Sequence, residues 1–285
     1  AAEVKQKAQF HGIEIALETF RSDTGDYPPS AYGNWAPAEE SKFIGYTASH
    51  RLAEAIVGRD GLGFHPESIY TKDGTNMVTP KSGGAKILSG LYLGLSTAIN
   101  PLWQTQDENI AARKGPYMEL ESANAVLLGD IYEIPAGTNL VNSYVLADSM
   151  KTVKNRKTGK KTGMPILYFK ARINYTLQDF TVDGNYRNDI YNYDDNRALV
   201  CLGTTDASER HELESVTGTV TGSAYENFEN MILNKQVQQS TVTAANPRGI
   251  LRPYRADSYI LVSAGKDELY GTSDDIFNFE KGSQQ

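Results

Sequence analysis

The sequence predicts an α+β fold, with an N-terminal helix at residues 1–24 and a single globular body at 25–285. Three observations carry this expectation. Phe10, Ile13, Leu17 and Phe20 recur at helical spacing at the start of the chain. From about residue 126, short β-rich runs alternate with turn residues. No internal repeat, low-complexity segment or clear linker divides the 285 residues, so helix and strands are expected to share one body.

Composition narrows the function classes. Hydrophobic residues make up 40% and charged residues 22%, which is globular rather than disordered. The formal charge is -7 and no basic face dominates, which argues against nucleic acid as a partner. Lys and Arg cluster once, at Lys151–Lys161, where a solvated loop is expected. The single cysteine, Cys201, excludes an internal disulfide and fits either a reducing or an exporting context. Its surroundings, RALVCLG, read as a buried strand with a packed thiol. No stretch reaches the ~20 apolar residues that span a bilayer. The nearest, Ile87–Ile99, is interrupted by Gly, Ser and Thr and reads as core. The start, AAEVKQKAQF, has neither a signal peptide nor an initiator Met, so a mature or trimmed chain is expected.

The elements follow in order. Residues 1–23 form a helix with charges opposite its apolar stripe, ended by Thr24-Gly25 and by Pro28-Pro29. Residues 25–47 are loop-rich. A second helix spans about 48–57, with Leu52, Ile56 and Val57 as its stripe and Gly58 as its end. Residues 58–66 turn, and 84–103 are a buried helix or a strand pair. Strand-like runs follow at Ile166–Ile173, Tyr175–Val182 and Ala198–Leu202. A helix at 224–236 has Ser223 and Glu226 as a capping box and Tyr225, Phe228 and Ile232 as its inner face. A hairpin built on residues 259–279 closes the chain.

Catalytic constellations are hard to find. His11, His50, His65 and His211 form no metal-binding pair, and no nucleophile elbow or phosphate loop is present. Surface or packing roles are expected of all four, and the chain reads as a non-enzyme.

The stretch YILVSAGKDELYGTSDDIFNF, residues 259–279, is the sharpest chemical signal. Asp267, Asp274 and Asp275 crowd a loop whose Gly265 and Gly271 permit tight curvature. Ser263, Glu268, Thr272 and Ser273 add further oxygens. Hard cations such as calcium take mixed carboxylate, carbonyl and hydroxyl oxygens, and a cation would offset the repulsion of three acids. Asp and Gly are also ordinary turn residues, so the residues alone leave a solvated acidic turn equally open.

The order RPYRADSYILVSAGKDELYGTSDDIFNF, residues 252–279, resembles the C-terminal signature of type II secretion pseudopilins and related type IV pilin-like proteins. In that family a strand enters an S-x-G-x-D-G-x-x-G-T-x-D-D-I-type loop and ends in an N-F or N-W pair. Residues 8–30 are similar to the distal half of the family's spine helix, running into Asp23-Thr24-Gly25-Asp26-Tyr27-Pro28. Weaker echoes lie at 52–64, 113–120 and 164–173. The resemblance covers about a third of the chain. The region 203–222 and the basic loop 151–161 have no counterpart.

The resemblance implies a pilin-like fold: the spine helix packed on a mostly antiparallel β-sheet, with enlarged loop and helix insertions. It implies calcium held by Asp267, Asp274 and Asp275, with oxygens near Ser263–Gly265 and Gly271–Ser273, including Thr272, completing the shell. One departure is visible: Glu268 stands where the family often has Gly. The implied function is a structural filament subunit in protein secretion, major, minor or at the tip. Its partners would be further copies, other pilin-like subunits and the secretion machinery. Membrane contact would come only through an apolar N-terminal segment preceding residue 1, on the periplasmic or cell-surface side of the bacterial inner membrane. Two other expectations compete. A secreted calcium-dependent module for glycans or proteins predicts clustered exposed aromatics. A secreted hydrolase predicts a concave pocket with paired acids.

Overall fold

The computed structural model describes residues 2–30, 46–80, 83–92, 106–132, 142–176, 178, 189–200, 202, 213, 222–238 and 251–281. Cys201, His211, most of 203–222 and residues 93–103 of the expected core segment lie outside the described residues.

Helix α1 spans Ala2–Thr24 and buries Phe10, Ile13, Leu17 and Phe20, as the periodicity predicts, together with Gln6 and Ala16. Gly25 closes it with φ +93, and its amide donates to Arg21 O at 2.8 Å. The turn that follows docks rather than drifts. Tyr27 packs edge-on against Tyr259 at 4.8 Å, its hydroxyl donates to Glu18 Oε1 at 2.6 Å, and Tyr168 OH donates to Pro28 O at 2.7 Å.

Helix α2, Ala48–Val57, has the expected bounds, but all ten of its residues are buried rather than a stripe at Leu52, Ile56 and Val57. Burial of its polar side chains is made possible by a local network. Glu54 accepts from Tyr46 OH at 2.5 Å, from Tyr92 OH at 2.8 Å and from Ser68 Oγ, with the Arg59 guanidinium 3.9 Å away. Strands β1 (Thr75–Val78) and β2 (Ile87–Gly90) form a hairpin, so the start of the expected core segment is strand. Helix α3 spans Gln106–Ala111.

Strand β3 (Ala125–Leu127) runs directly into the short helix α4 (Leu128–Ile131) and pairs with β4 (Tyr144–Leu146). The basic stretch is a hairpin of β5 (Val153–Lys154) and β6 (Lys161–Thr162), exposed at its turn as expected.

The central sheet has the order β11-β10-β7, formed by Ile276–Phe277, Tyr259–Ser263 and Leu167–Lys170, and both pairings are antiparallel. Alternate residues of β10 enter different cores. Tyr259 and Leu261 meet Phe10, Ile13, Leu17 and Leu52, whereas Ile260 and Val262 meet Phe228, Met231 and Ile232. Helices therefore cover both faces, and β10 reads as one continuous apolar run because neither face is wet.

Two expectations need correction, and a third lies mostly outside the described residues. Ala198–Leu202 is not a strand: Arg197–Val200 forms helix α5, whose amides Leu199 N and Val200 N donate to Asn196 O. Tyr175–Val182 begins as an irregular stretch at Tyr175–Thr176, and most of its remainder lies outside the described residues. Helix α6 spans Gly222–Ile232, so Ser223 is within the helix instead of capping it, and the chain turns into strand β8 (Leu233–Gln238) where further helix was expected. β8 pairs with β9, Leu251–Pro253. Phe228 and Ile232 do face the core; the side chain of Tyr225 lies outside the described residues.

Candidate functional site

The acidic loop 264–275 joins β10 to β11, and its backbone is fixed by its own carboxylates. Gly265 has φ +70, and a Cβ there would lie 2.5 Å from both Asp274 O and Asp274 Oδ2. Only glycine permits that approach. Asp274 Oδ2 accepts from the amides of Lys266 at 2.7 Å and Asp267 at 3.3 Å, and Oδ1 accepts from Thr272 Oγ1 at 2.7 Å. Burial pushes the Asp274 carboxyl up, but the Thr272 hydroxyl and these amides outweigh it and hold it below the usual range. Asp267 Oδ1 accepts from Leu269 N at 2.9 Å, closing a local turn.

Asp275 is different. Its Oδ2 accepts from Gly271 N at 2.8 Å, while its Oδ1 is buried with no hydrogen-bond partner among the described residues. Burial, reinforced by the charges of Asp274 and Asp267, pushes this carboxyl up to about 8, against the opposing Gly271 amide and Lys281 ammonium. The predicted acids thus share one loop, and all three spend an oxygen on backbone amides. Among the described residues no group of three or more His, Cys, Asp or Glu side chains stands ready to hold a metal ion.

The predicted hydroxyl donors are also engaged. Thr272 serves Asp274, and Ser263 Oγ points inward and donates to Asp148 Oδ2 at 2.7 Å. Asp148 is the residue that sequence reasoning missed. It lies two residues after the end of β4, is fully buried, and accepts from Met150 N at 3.1 Å. Burial pushes its carboxyl up to about 6, against the Ser263 hydroxyl and the amides of Met150 and Met164. A Cβ at Gly163 would lie 2.0 Å from Asp148 O, so the position just after β6 must be glycine for the two segments to meet. The available signal was an acid ending the apolar run Tyr144–Ala147.

The loop is anchored to α1. Asn278 Nδ2 donates to Glu14 Oε1 at 3.0 Å, Arg255 Nη1 pairs with the same oxygen at 3.0 Å, and Lys7 meets Glu280 at 3.1 Å. Glu268 has φ +65, the left-handed region that glycine adopts without cost.

Two of the three described histidines, His50 and His65, are buried. His11 is exposed on α1. His50 Nδ1 accepts from Thr47 N at 3.2 Å, and burial next to the Arg59 and Arg51 cations depresses its pKa to about 3. His65 is lowered to about 4, first by burial and then by Arg113. A shallow cleft of about 240 Å³ is lined by Asn234, Arg252, Tyr254, Arg255 and Asp257. Among the described residues, Asp257 is the one acid in that lining.

Helix α1 also has a second stripe. Val4, Ala8, His11 and Ile15 recur at intervals of four, three and four residues on its outer side. They face solvent, with Val4 71% and Ile15 56% exposed. No family, curated protein or solved structure matches this chain.

Proposed function

We propose that this protein is a structural subunit of a pilin-like filament acting in protein secretion, and that its task is mechanical rather than catalytic. The observation that carries the reading is the second stripe of α1. A surface helix of a globular domain needs one apolar face, directed at its core. Here the inner face is filled by Phe10, Ile13, Leu17 and Phe20, yet Val4, Ala8, His11 and Ile15 repeat at the spacing that suits helix–helix packing. Stacked copies joined through α1 would cover that stripe.

The reading gives the acidic loop a supporting role. Asp275 Oδ1 is a buried oxygen without a partner among the described residues, and a cation would satisfy it. Calcium suits this oxygen chemistry, with Asp275, Asp267 and Asp274 as carboxylates and nearby carbonyls or the Ser263 and Thr272 hydroxyls as neutral donors. Its part would be to neutralise the loop and stiffen the anchorage of 276–280 on α1. Thermal unfolding at pH 8 checks this: millimolar calcium is expected to raise the midpoint relative to chelator by mass action. An unchanged midpoint would remove the cation and leave the filament reading in place.

The decisive test of that reading is the gene sequence upstream of the Ala1 codon. A run of ~20 apolar residues in helical phase with Phe10 and Ile13, after a short basic leader, is expected. An ordinary cleaved signal peptide directly before Ala1 would overturn it.

A further inference from the structure

We propose that the β5–β6 hairpin docks on the anionic phospholipid headgroups of a membrane surface; the inference rests on the filament-subunit reading, which turns the N-terminal end of α1 toward a bilayer. Residues 151–161 carry Lys151, Lys154, Arg156, Lys157, Lys160 and Lys161 and no acid, within a chain whose net charge is -7. All six side chains are exposed.

The hairpin is a shaped element. Asn155 N donates to Lys160 O at 2.8 Å and Gly159 N to Asn155 O at 2.8 Å, which closes the turn. Arg156 N donates to Asp130 O at 2.7 Å, and Lys157 pairs with Asp130 Oδ1 at 2.8 Å, which ties the turn to α4. Folding it this way carries two costs. Lys154 and Lys161 are directly opposed across the strands, where like charges repel. Lys151, at the base, has φ +58. A diffuse layer of negative charge would relieve the repulsion.

Position selects the occupant. Ser149 donates to Gln6 Oε1 from its amide at 2.7 Å and from its hydroxyl at 3.0 Å, so the hairpin leaves the body beside the first turns of α1. Its six cations lie exposed along one short hairpin, which suits a planar array of phosphates better than one bound anion. The acidic loop begins near the same end, since Ser263 bonds to Asp148 and the Glu268 charge reaches it as well. Exposed Asp267, partly exposed Glu268 and Asp130, which pairs with Lys157, oppose docking, and the six hairpin cations outnumber these three acids.

Vesicle co-sedimentation of the intact chain tests the proposal. At low ionic strength the protein is expected to pellet with vesicles containing phosphatidylglycerol and to stay in solution with pure phosphatidylcholine. Each Lys or Arg near an anionic leaflet strengthens binding about five-fold, so K151Q/K154Q/K160Q/K161Q is expected to weaken it by roughly 100-fold or more. The matching Lys→Arg variant should retain binding, and thermal unfolding of both variants establishes that they are folded. Equal pelleting by the Gln variant, equal binding to phosphatidylcholine, or retention by polyphosphate without vesicle binding would each overturn the proposal. Disulfide cross-linking between copies through Val4→Cys and Ile15→Cys, in a Cys201→Ser background, tests the α1 reading separately. Cross-links without vesicle binding reject the hairpin proposal alone, and vesicle binding without cross-links counts against the filament reading alone.

Discussion

Glu268 occupies a left-handed turn, φ +65, that costs a side-chain-bearing residue about 1 kcal/mol or more. Glu268→Gly removes that strain but frees the unfolded chain, so a net gain of roughly 0.5 kcal/mol is expected in chemical denaturation. A clear loss would show that the Glu268 side chain supports the turn. Asp275 presents the opposite problem, a buried charge. Its pKa of about 8 lies above the unfolded value near 4, so its stabilising contribution is present at low pH and is lost as pH rises through 8. Asp148, at about 6, acts with the same sign at lower pH. His50 and His65, lowered to about 3 and 4, act oppositely below pH 6.5. The histidines oppose the two carboxyls below pH 6.5, and of these four groups Asp275 dominates above it. Calcium-free protein should therefore melt at a lower temperature at pH 8.5 than at pH 6.5. Asp275→Asn should abolish that decline and also any calcium-dependent rise in midpoint.

Helix α1 places two opposite demands on neighbouring positions. Leu17 is fully buried between α2 and the sheet, so Leu17→Ala is expected to cost about 2–5 kcal/mol in urea unfolding. Ile15, on the outer stripe, should change stability by less than about 0.5 kcal/mol when replaced by Ala. If Ile15→Ala cost as much as Leu17→Ala, the outer stripe would be a packed face and not a free one. Helix α2 is the other instructive element, because its polar residues are buried around Glu54. Glu54→Ala strips the Arg59 guanidinium, Ser68 and two tyrosine hydroxyls of a common acceptor, at a cost of roughly 3–5 kcal/mol. Far-UV circular dichroism during denaturation would read both helices.

At the scale of the whole molecule, the sheet β11-β10-β7 organises two cores, and α1 and α6 are held on opposite faces through alternate residues of single strands. The acidic loop and the basic hairpin both emerge near the Asp148–Ser263 contact, so charge of both signs gathers near the end of the body that carries the first turns of α1. That arrangement predicts salt-dependent surface behaviour in a chain whose stability rests on apolar burial: added salt should weaken vesicle binding steeply while shifting the melting temperature little.

The sequence by itself determined the local features. Helical spacing located α1, the Thr24-Gly25 pair ended it, the bounds of α2 were legible, and the apolar run before Gly265 marked β10, because each rests on residues near in the chain. Tertiary structure decided the rest. Arg197–Val200 is helical although RALVCLG reads as strand, since a short apolar run fits either state and its surroundings choose. The polar residues of α2 are buried because Tyr46, Ser68 and Tyr92 arrive from elsewhere to satisfy Glu54. Asp148 joined the site because a hydrogen bond to Ser263 spans 115 positions of sequence, a separation no local pattern encodes.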